Sequence, residues 1–224
     1  MTVSQSSPAR SGSAGRQVTI GPAQLGGYLG EPKTGSGIVI FAHGSGSGRN
    51  SPRNQLVARA LQSIGLGTLL LDLLTEAEAQ DVRKVFDIDL LADRLLTATD
   101  WLRRQDRIGA SPVGYFGAST GAGAALTAAA RLGRSVEAIV SRGGRPDLAG
   151  QWLRQVTAPT LLIVGSADTK VLALNRQALS GLAGEKELAV IPRATHLFEE
   201  PGALERVMEL SSRWFEMHLG KRRS

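Results

Sequence analysis

The chain has 224 residues, enough for one domain with a sizeable core, and its 42% hydrophobic and 21% charged content is that of a soluble globular protein. It contains no cysteine, which excludes a disulfide framework and thiolate chemistry. Five of the six excess positive charges lie in the tails, on Arg10, Arg16, Lys221, Arg222 and Arg223, so the body from 17 to 220 is nearly neutral and gives no reason to expect a nucleic-acid partner.

Residues 1–16, rich in Ser, Gly, Ala and Arg, read as a disordered basic tail without the apolar run of a secretory signal. Residues 221–224 read as a short basic C-terminal tail. No segment approaches the ~18 apolar residues of a membrane span. The expected location is the cytoplasm, with no membrane partner.

Val18 to Leu29, which contains Gly26-Gly27, reads as two short strands with a turn, an edge hairpin. Gly37 to His43 is a continuous apolar run, the mark of a strand buried on both faces. Gly44-Ser-Gly-Ser-Gly48 is a flexible loop. Ser51-Pro52 supplies an N-cap and first-turn proline for a helix to about Ile64. Thr68 to Asp72 is the next buried strand. Residues 74–86, polar and charged, read as a connecting loop that could fold over a crevice. A helix follows from Ile88 to Gln105, with Ile88, Leu91, Leu95, Leu96, Thr99 and Leu102 on one face.

Val113 to Phe116 reads as a strand and residues 120–132 as an Ala-rich helix. Val136 to Ser141 is a strand, Leu148 to Gln155 a short helix, and Thr160 to Val164 another buried strand. Val171 to Leu182 is a helix, Glu187 to Ile191 the last strand, and Pro201 to His218 the closing helix, with Pro201 in its first turn and His218 on its surface. Strands alternating with helices predict an α/β domain over 17–220, with a mostly parallel twisted sheet, helices on both faces and no separate cap domain. In such a sheet ligands bind beyond the carboxyl ends of the strands. His43, Ser119, Arg142, Asp168 and His196 all fall at or just after predicted strand ends, on five different strands.

Between strand and helix stands Gly117-Ala-Ser-Thr-Gly121, a G-x-S-x-G pattern. Such a turn forces its serine into a strained, exposed conformation and points a helix N-terminus at it. Ser119 is therefore the candidate nucleophile. A serine needs a general base and a group to orient it. His196 and Asp168 follow in the order Ser, acid, His, each after its own strand. Asp168 also suits the N-cap of the following helix. Asp72 and Asp147 are weaker candidates for the acid. An oxyanion needs backbone N–H donors. Thr120, next to the nucleophile, and Ser45, in the Gly-rich loop, are placed to give them. His43 reads as a residue that orients this loop, and also as a candidate for substrate contact. Phe86 and Phe198 are candidate pocket walls. Arg142 admits two readings, a structural ion pair or a binder of a substrate carboxylate or phosphate. Arg49 and Arg145 read as solvated.

These motifs resemble the α/β-hydrolases, through His43-Gly-Ser-Gly-Ser-Gly48, Gly117-Ala-Ser-Thr-Gly121, Asp168 and His196. Within them the chain is similar to the dienelactone-hydrolase branch, on Ser141-Arg-Gly-Gly-Arg-Pro-Asp147 and Ala194-Thr-His-Leu-Phe-Glu-Glu-Pro-Gly202. The resemblance implies Ser119 as nucleophile, Asp168 as acid and His196 as base. Dienelactone hydrolases proper use a cysteine nucleophile, so its absence here points away from the dienelactone substrate. The expected activity is that of a serine carboxylester hydrolase for small or short-chain esters, needing no metal and no cofactor. The alternatives are a thioesterase or perhydrolase with the same triad, or a non-catalytic binding domain on the same scaffold. The oligomeric state and the physiological ester are not legible in the sequence.

Overall fold

Runs of apolar residues that no helical period breaks give this chain its central strands, which are buried on both faces. The computed structural model describes residues 15–220. The parts of the expected tails at 1–14 and 221–224 lie outside the described residues. Eight strands are present among the described residues: β1 (Arg16–Ile20), β2 (Leu25–Gly30), β3 (Ile38–Ala42), β4 (Gly67–Leu71), β5 (Val113–Ala118), β6 (Ala138–Arg142), β7 (Thr160–Gly165) and β8 (Lys186–Ile191). Their order in the sheet is β1-β2-β4-β3-β5-β6-β7-β8. The hairpin β1–β2 is antiparallel and β2 meets β4 antiparallel; every later pairing is parallel. Arg16, assigned from sequence to the tail, opens β1 opposite Leu29.

Helices α1 (Pro52–Ser63) and α7 (Ala203–Leu219) cover one face. There Val39, Phe41, Leu70, Phe116, Val140 and Ile163 meet Val57, Leu61, Val207 and Phe215. Helices α4 (Ile88–Arg103), α5 (Thr120–Leu132) and α6 (Thr169–Gly181) cover the other, with a kinked 3-10 segment at Pro146–Gln155. The kink lies at Gly150, at φ +51°. This confirms the predicted class, a mostly parallel sheet with helices on both faces. No separate cap domain occurs among the described residues, and no helix among them is long and apolar enough to cross a membrane.

Composition explains α5. Its buried positions are mostly Ala and Gly, with Ala122, Ala124, Ala125 and Ala128 fully inaccessible. A helix enclosed on nearly every side packs closely only if its side chains are small. A Cβ added at Gly123 would stand 2.9 Å from the Leu148 side chain of the 3-10 segment.

Three expectations are corrected. Residues 74–86 are not a plain loop but contain two one-turn helices, α2 (Glu76–Ala79) and α3 (Val82–Val85). The first is stabilised by a capping box: Thr75 Oγ1 accepts from Glu78 N–H, and the Glu78 carboxylate accepts from Thr75 N–H. Glu78 also bonds Arg94 on α4, fastening the segment to the body. Pro201 precedes α7 rather than opening it, because Gly202, at φ +80°, is the N-cap. His218 is not a plain surface residue: its side chain is 14% exposed and packs at a tilt against the Trp214 ring.

Candidate active site

Ser119 stands between β5 and α5 at φ +50° and ψ −125°, a conformation that costs a non-glycine residue strain. Bonds around the turn hold it there. Ser119 N–H donates to Arg142 O, while Ser119 O accepts from the N–H groups of Ala122 and Arg145. The flanking glycines are needed for space. A Cβ on Gly121 would stand 2.1 Å from Ala42 O, and one on Gly117 would stand 2.5 Å from the Ala122 Cα. Gly44, in the loop after β3, approaches the serine itself: its Cβ would lie 2.8 Å from Ser119 Cβ.

Asp168 occupies the N-cap position of α6, yet its carboxylate does not cap the helix. It turns instead to His196, whose Nδ1 lies 2.7 Å from Asp168 Oδ2. The loop carrying His196 is fixed at several points. Thr195 donates to Glu200 through both its N–H and its hydroxyl, and this holds the Glu200 carboxyl below its usual pKa. Phe198 adopts φ +56° and is 1% exposed. Expected as a pocket wall, it is instead the anchor that plugs this loop into the core. Ser119, His196, Arg142 and Arg53 line one cleft of about 560 Å³. Among the described residues no hydrogen bond joins Ser119 to His196. Such bonds commonly form only when substrate is bound.

The Gly-rich loop is held from beneath. His43 is 9% exposed; its Nε2 accepts from Leu73 N–H at 2.9 Å and its Nδ1 lies 2.9 Å from Gly44 O. An acceptor Nε2 leaves the proton on Nδ1, so the ring is neutral, and burial pushes its pKa down. Both nitrogens are committed to backbone, which fits the loop-orienting role, and the residue also lines a cavity beside this loop. Asp72 clamps the far end of the loop, accepting from Arg49 N–H and from its guanidinium. Arg49, read as solvated, is thus an ion-paired residue lying over the Tyr28 ring. Arg145 likewise makes a two-bond pair with Asp147.

Ser45 and Thr120 do meet: Ser45 N–H donates to Thr120 Oγ1 at 3.1 Å. This bond draws the loop tip onto the first turn of α5. As the first residue of that helix, Thr120 has no intrahelical acceptor for its own N–H. On the other side of residues 44–47 lies a second cavity of about 360 Å³, bounded by Thr120, Leu74, Ala79, Val85 and Leu91. The 74–86 segment is its wall. Phe86 is not among the lining residues and is 55% exposed.

Arg142 ends β6, paired with Ala118 of β5, and is 8% exposed. No acceptor among the described residues reaches its Nε or Nη1, and its guanidinium lies 5.9 Å from the Phe198 ring centre. The ion-pair reading therefore fails. Burial, with Arg53 as a smaller cause, lowers its pKa to about 10. Arg53 escaped the sequence reading. Its signal was its place in the first turn of the helix that directly follows the Gly-rich loop.

No protein-family model matches the chain. A crystal structure of dienelactone hydrolase from Anabaena variabilis is 56% identical, with a TM-score of 0.87 over 92% of this chain and 97% of that one. Est1E from Butyrivibrio proteoclasticus, bound to ferulic acid, is 18% identical, with a TM-score of 0.77 over 91% of this chain and 100% of that one. A Mycobacterium tuberculosis protein bearing the name "Putative phosphoribosyl transferase" is 56% identical over 203 residues, 91% of this chain. Those residues are 46% of the relative, so the chain spans about half the length of the curated relatives it matches.

Proposed function

The chain belongs to the dienelactone-hydrolase branch of the α/β-hydrolase fold, and from that premise we propose that it is a serine hydrolase of small carboxylic esters. The observation that carries this reading is the Asp168–His196 bond of 2.7 Å, with His196 lining the same cleft as a strained Ser119. The fold alone supports only a hydrolase scaffold, since one scaffold hosts many functions. The triad argument comes from these three side chains. The ferulic acid held by Est1E is in keeping with a small-molecule partner.

In this mechanism Ser119 Oγ attacks the ester carbonyl while His196 Nε2 takes its proton. Asp168 accepts the Nδ1–H bond, fixes the tautomer and stabilises the imidazolium that forms. The tetrahedral oxyanion faces the Thr120 N–H at the helix terminus and the Ser45 N–H, which exchanges the Thr120 hydroxyl for the developing charge. His196 then protonates the leaving alcohol. The acyl-enzyme is released when His196 activates a water. The absence of a separate cap domain among the described residues favours short esters.

The test is kinetic. Ser119→Ala is expected to lower kcat for p-nitrophenyl acetate by roughly ten-thousand-fold or more, the scale of losing a triad nucleophile. Circular dichroism is expected to be unchanged. Wild-type turnover in that variant contradicts the proposal.

A further inference from the structure

We infer that the cleft takes an ester whose body carries a phosphate group, held by Arg142 and Arg53. This rests on the hydrolase reading above and names its substrate class. A guanidinium that is 8% exposed and lacks a carboxylate partner among the described residues is an unusual thing for a fold to keep. The nearby acids are committed elsewhere. Asp168 holds His196, Asp72 holds Arg49, Asp147 holds Arg145 and Glu200 holds Thr195. Arg142 is left with an aromatic face and the cleft it shares with Ser119.

A second cation stands on the same cleft. Arg53 bonds Glu199 at 3.0 Å, but Glu199 is 65% exposed, so that pair is screened by solvent. The two guanidinium groups repel, and Arg53 contributes to the lowered pKa of Arg142. An anion between them relieves this repulsion. Two helix N-termini add to the field. Asn50, Ser51 and Pro52, at the start of the twelve-residue α1, line the cleft, and the thirteen-residue α5 begins behind Ser119. Two arginines and two helix ends exceed what one carboxylate balances. A phosphate monoester carries about −1.5 to −2 near neutral pH and three acceptor oxygens, which suits the arginine fork.

The experiment compares kcat/KM for 1-acetylglycerol 3-phosphate, 1-acetylglycerol and the acetyl ester of 3-hydroxypropionate, which carry the same scissile acetyl group. The phosphate ester is expected to be preferred over the neutral one by at least about tenfold, the scale of one charge-assisted contact. Arg142→Gln is expected to bring that ratio towards unity, and Arg142→Lys to keep part of it. Arg53→Gln, on a partly exposed helix turn, lowers the ratio without disturbing the core. Equal use of phosphate and neutral esters, or a ratio unchanged in both Gln variants, overturns the inference. Preference for the carboxylate ester overturns the phosphate assignment. Calorimetric titration of the wild-type protein with inorganic phosphate separates the two claims. If no ester is cleaved but phosphate binds and Arg142→Gln weakens it about tenfold, the ester reading fails and the phosphate site stands. If esters are cleaved and phosphate does not bind, the reverse holds.

Discussion

His43 and Ser119 lie on opposite sides of one glycine, and each is set by chemistry that its neighbours impose. Gly44 permits the close approach, because any Cβ there would meet the serine. His43 pins the same glycine through its carbonyl. Burial holds its imidazole neutral in the fold, with a pKa below the usual 6.5. In the unfolded chain the ring protonates near that value, so unfolding takes up a proton as the pH falls beneath it. This part of the stability is complete above about 6.5 and declines towards acid, by at most about 1.4 kcal/mol per pH unit. Urea unfolding at pH 7, 6 and 5 is expected to show this decline, and His43→Gln to flatten it. A slope unchanged by the substitution contradicts the neutral, buried assignment.

At the same scale the Asp168 carboxylate bonds His196 and leaves the helix uncapped. A helix N-cap and a triad acid were both legible at residue 168. Which one the carboxylate takes depends on His196 arriving from β8, a contact that local sequence cannot express. Arg142 is the converse case. Its lack of a carboxylate partner among the described residues depends on where every acid falls in the fold, so the sequence left its role open.

The strand–turn–helix element around Ser119 was the most legible part of the chain. Continuous apolar runs mark β3, β4, β5 and β7, and Gly117 and Gly121 bracket the turn. Its requirement for glycine is steric. Gly121→Ala would drive a Cβ into Ala42 O and His43 O, both backbone atoms. Overpacking of this kind costs about 1–3 kcal/mol, or a fall in Tm of roughly 2–12 °C for a domain of this size. It is expected to displace the serine as well, so the proposed esterase activity should fall more than the loss of folded protein explains. Scanning calorimetry beside a kinetic assay checks both. Native Tm together with native kcat in the Gly121→Ala variant contradicts the packing argument.

Residues 74–86 show where an element was missed. Each helix there is four residues long, too short for a hydrophobic period to register. The capping pattern Thr75-x-x-Glu78 was the available signal. Phe198 was misread for a related reason. An aromatic next to a candidate catalytic histidine looks like a pocket wall, but a left-handed backbone at Phe198 turns the ring into the core.

At the scale of the whole molecule, the order of the sheet assembles the site. His43, Ser119, Arg142, Asp168 and His196 follow β3, β5, β6, β7 and β8 or end them, and those strands are neighbours in that order. Parallel pairing brings all five to the same sheet edge. Alternation of strands and helices predicted that edge. The exchange of β4 and β3 within the sheet was not predictable locally, because it is decided by which crossovers pack. The surrounding scaffold supplies the remaining parts: a Gly-rich loop clamped at both ends, a second cavity walled by 74–86, and two arginines lining the cleft.

The central claim is that Ser119 is a nucleophile activated through His196. Reaction with a fluorophosphonate, followed by peptide mass spectrometry, tests it without knowledge of the natural ester. The account predicts a single covalent adduct on Ser119, abolished in Ser119→Ala and strongly slowed in His196→Ala. An unlabelled Ser119 in folded protein, or labelling that proceeds at the wild-type rate without His196, would contradict it.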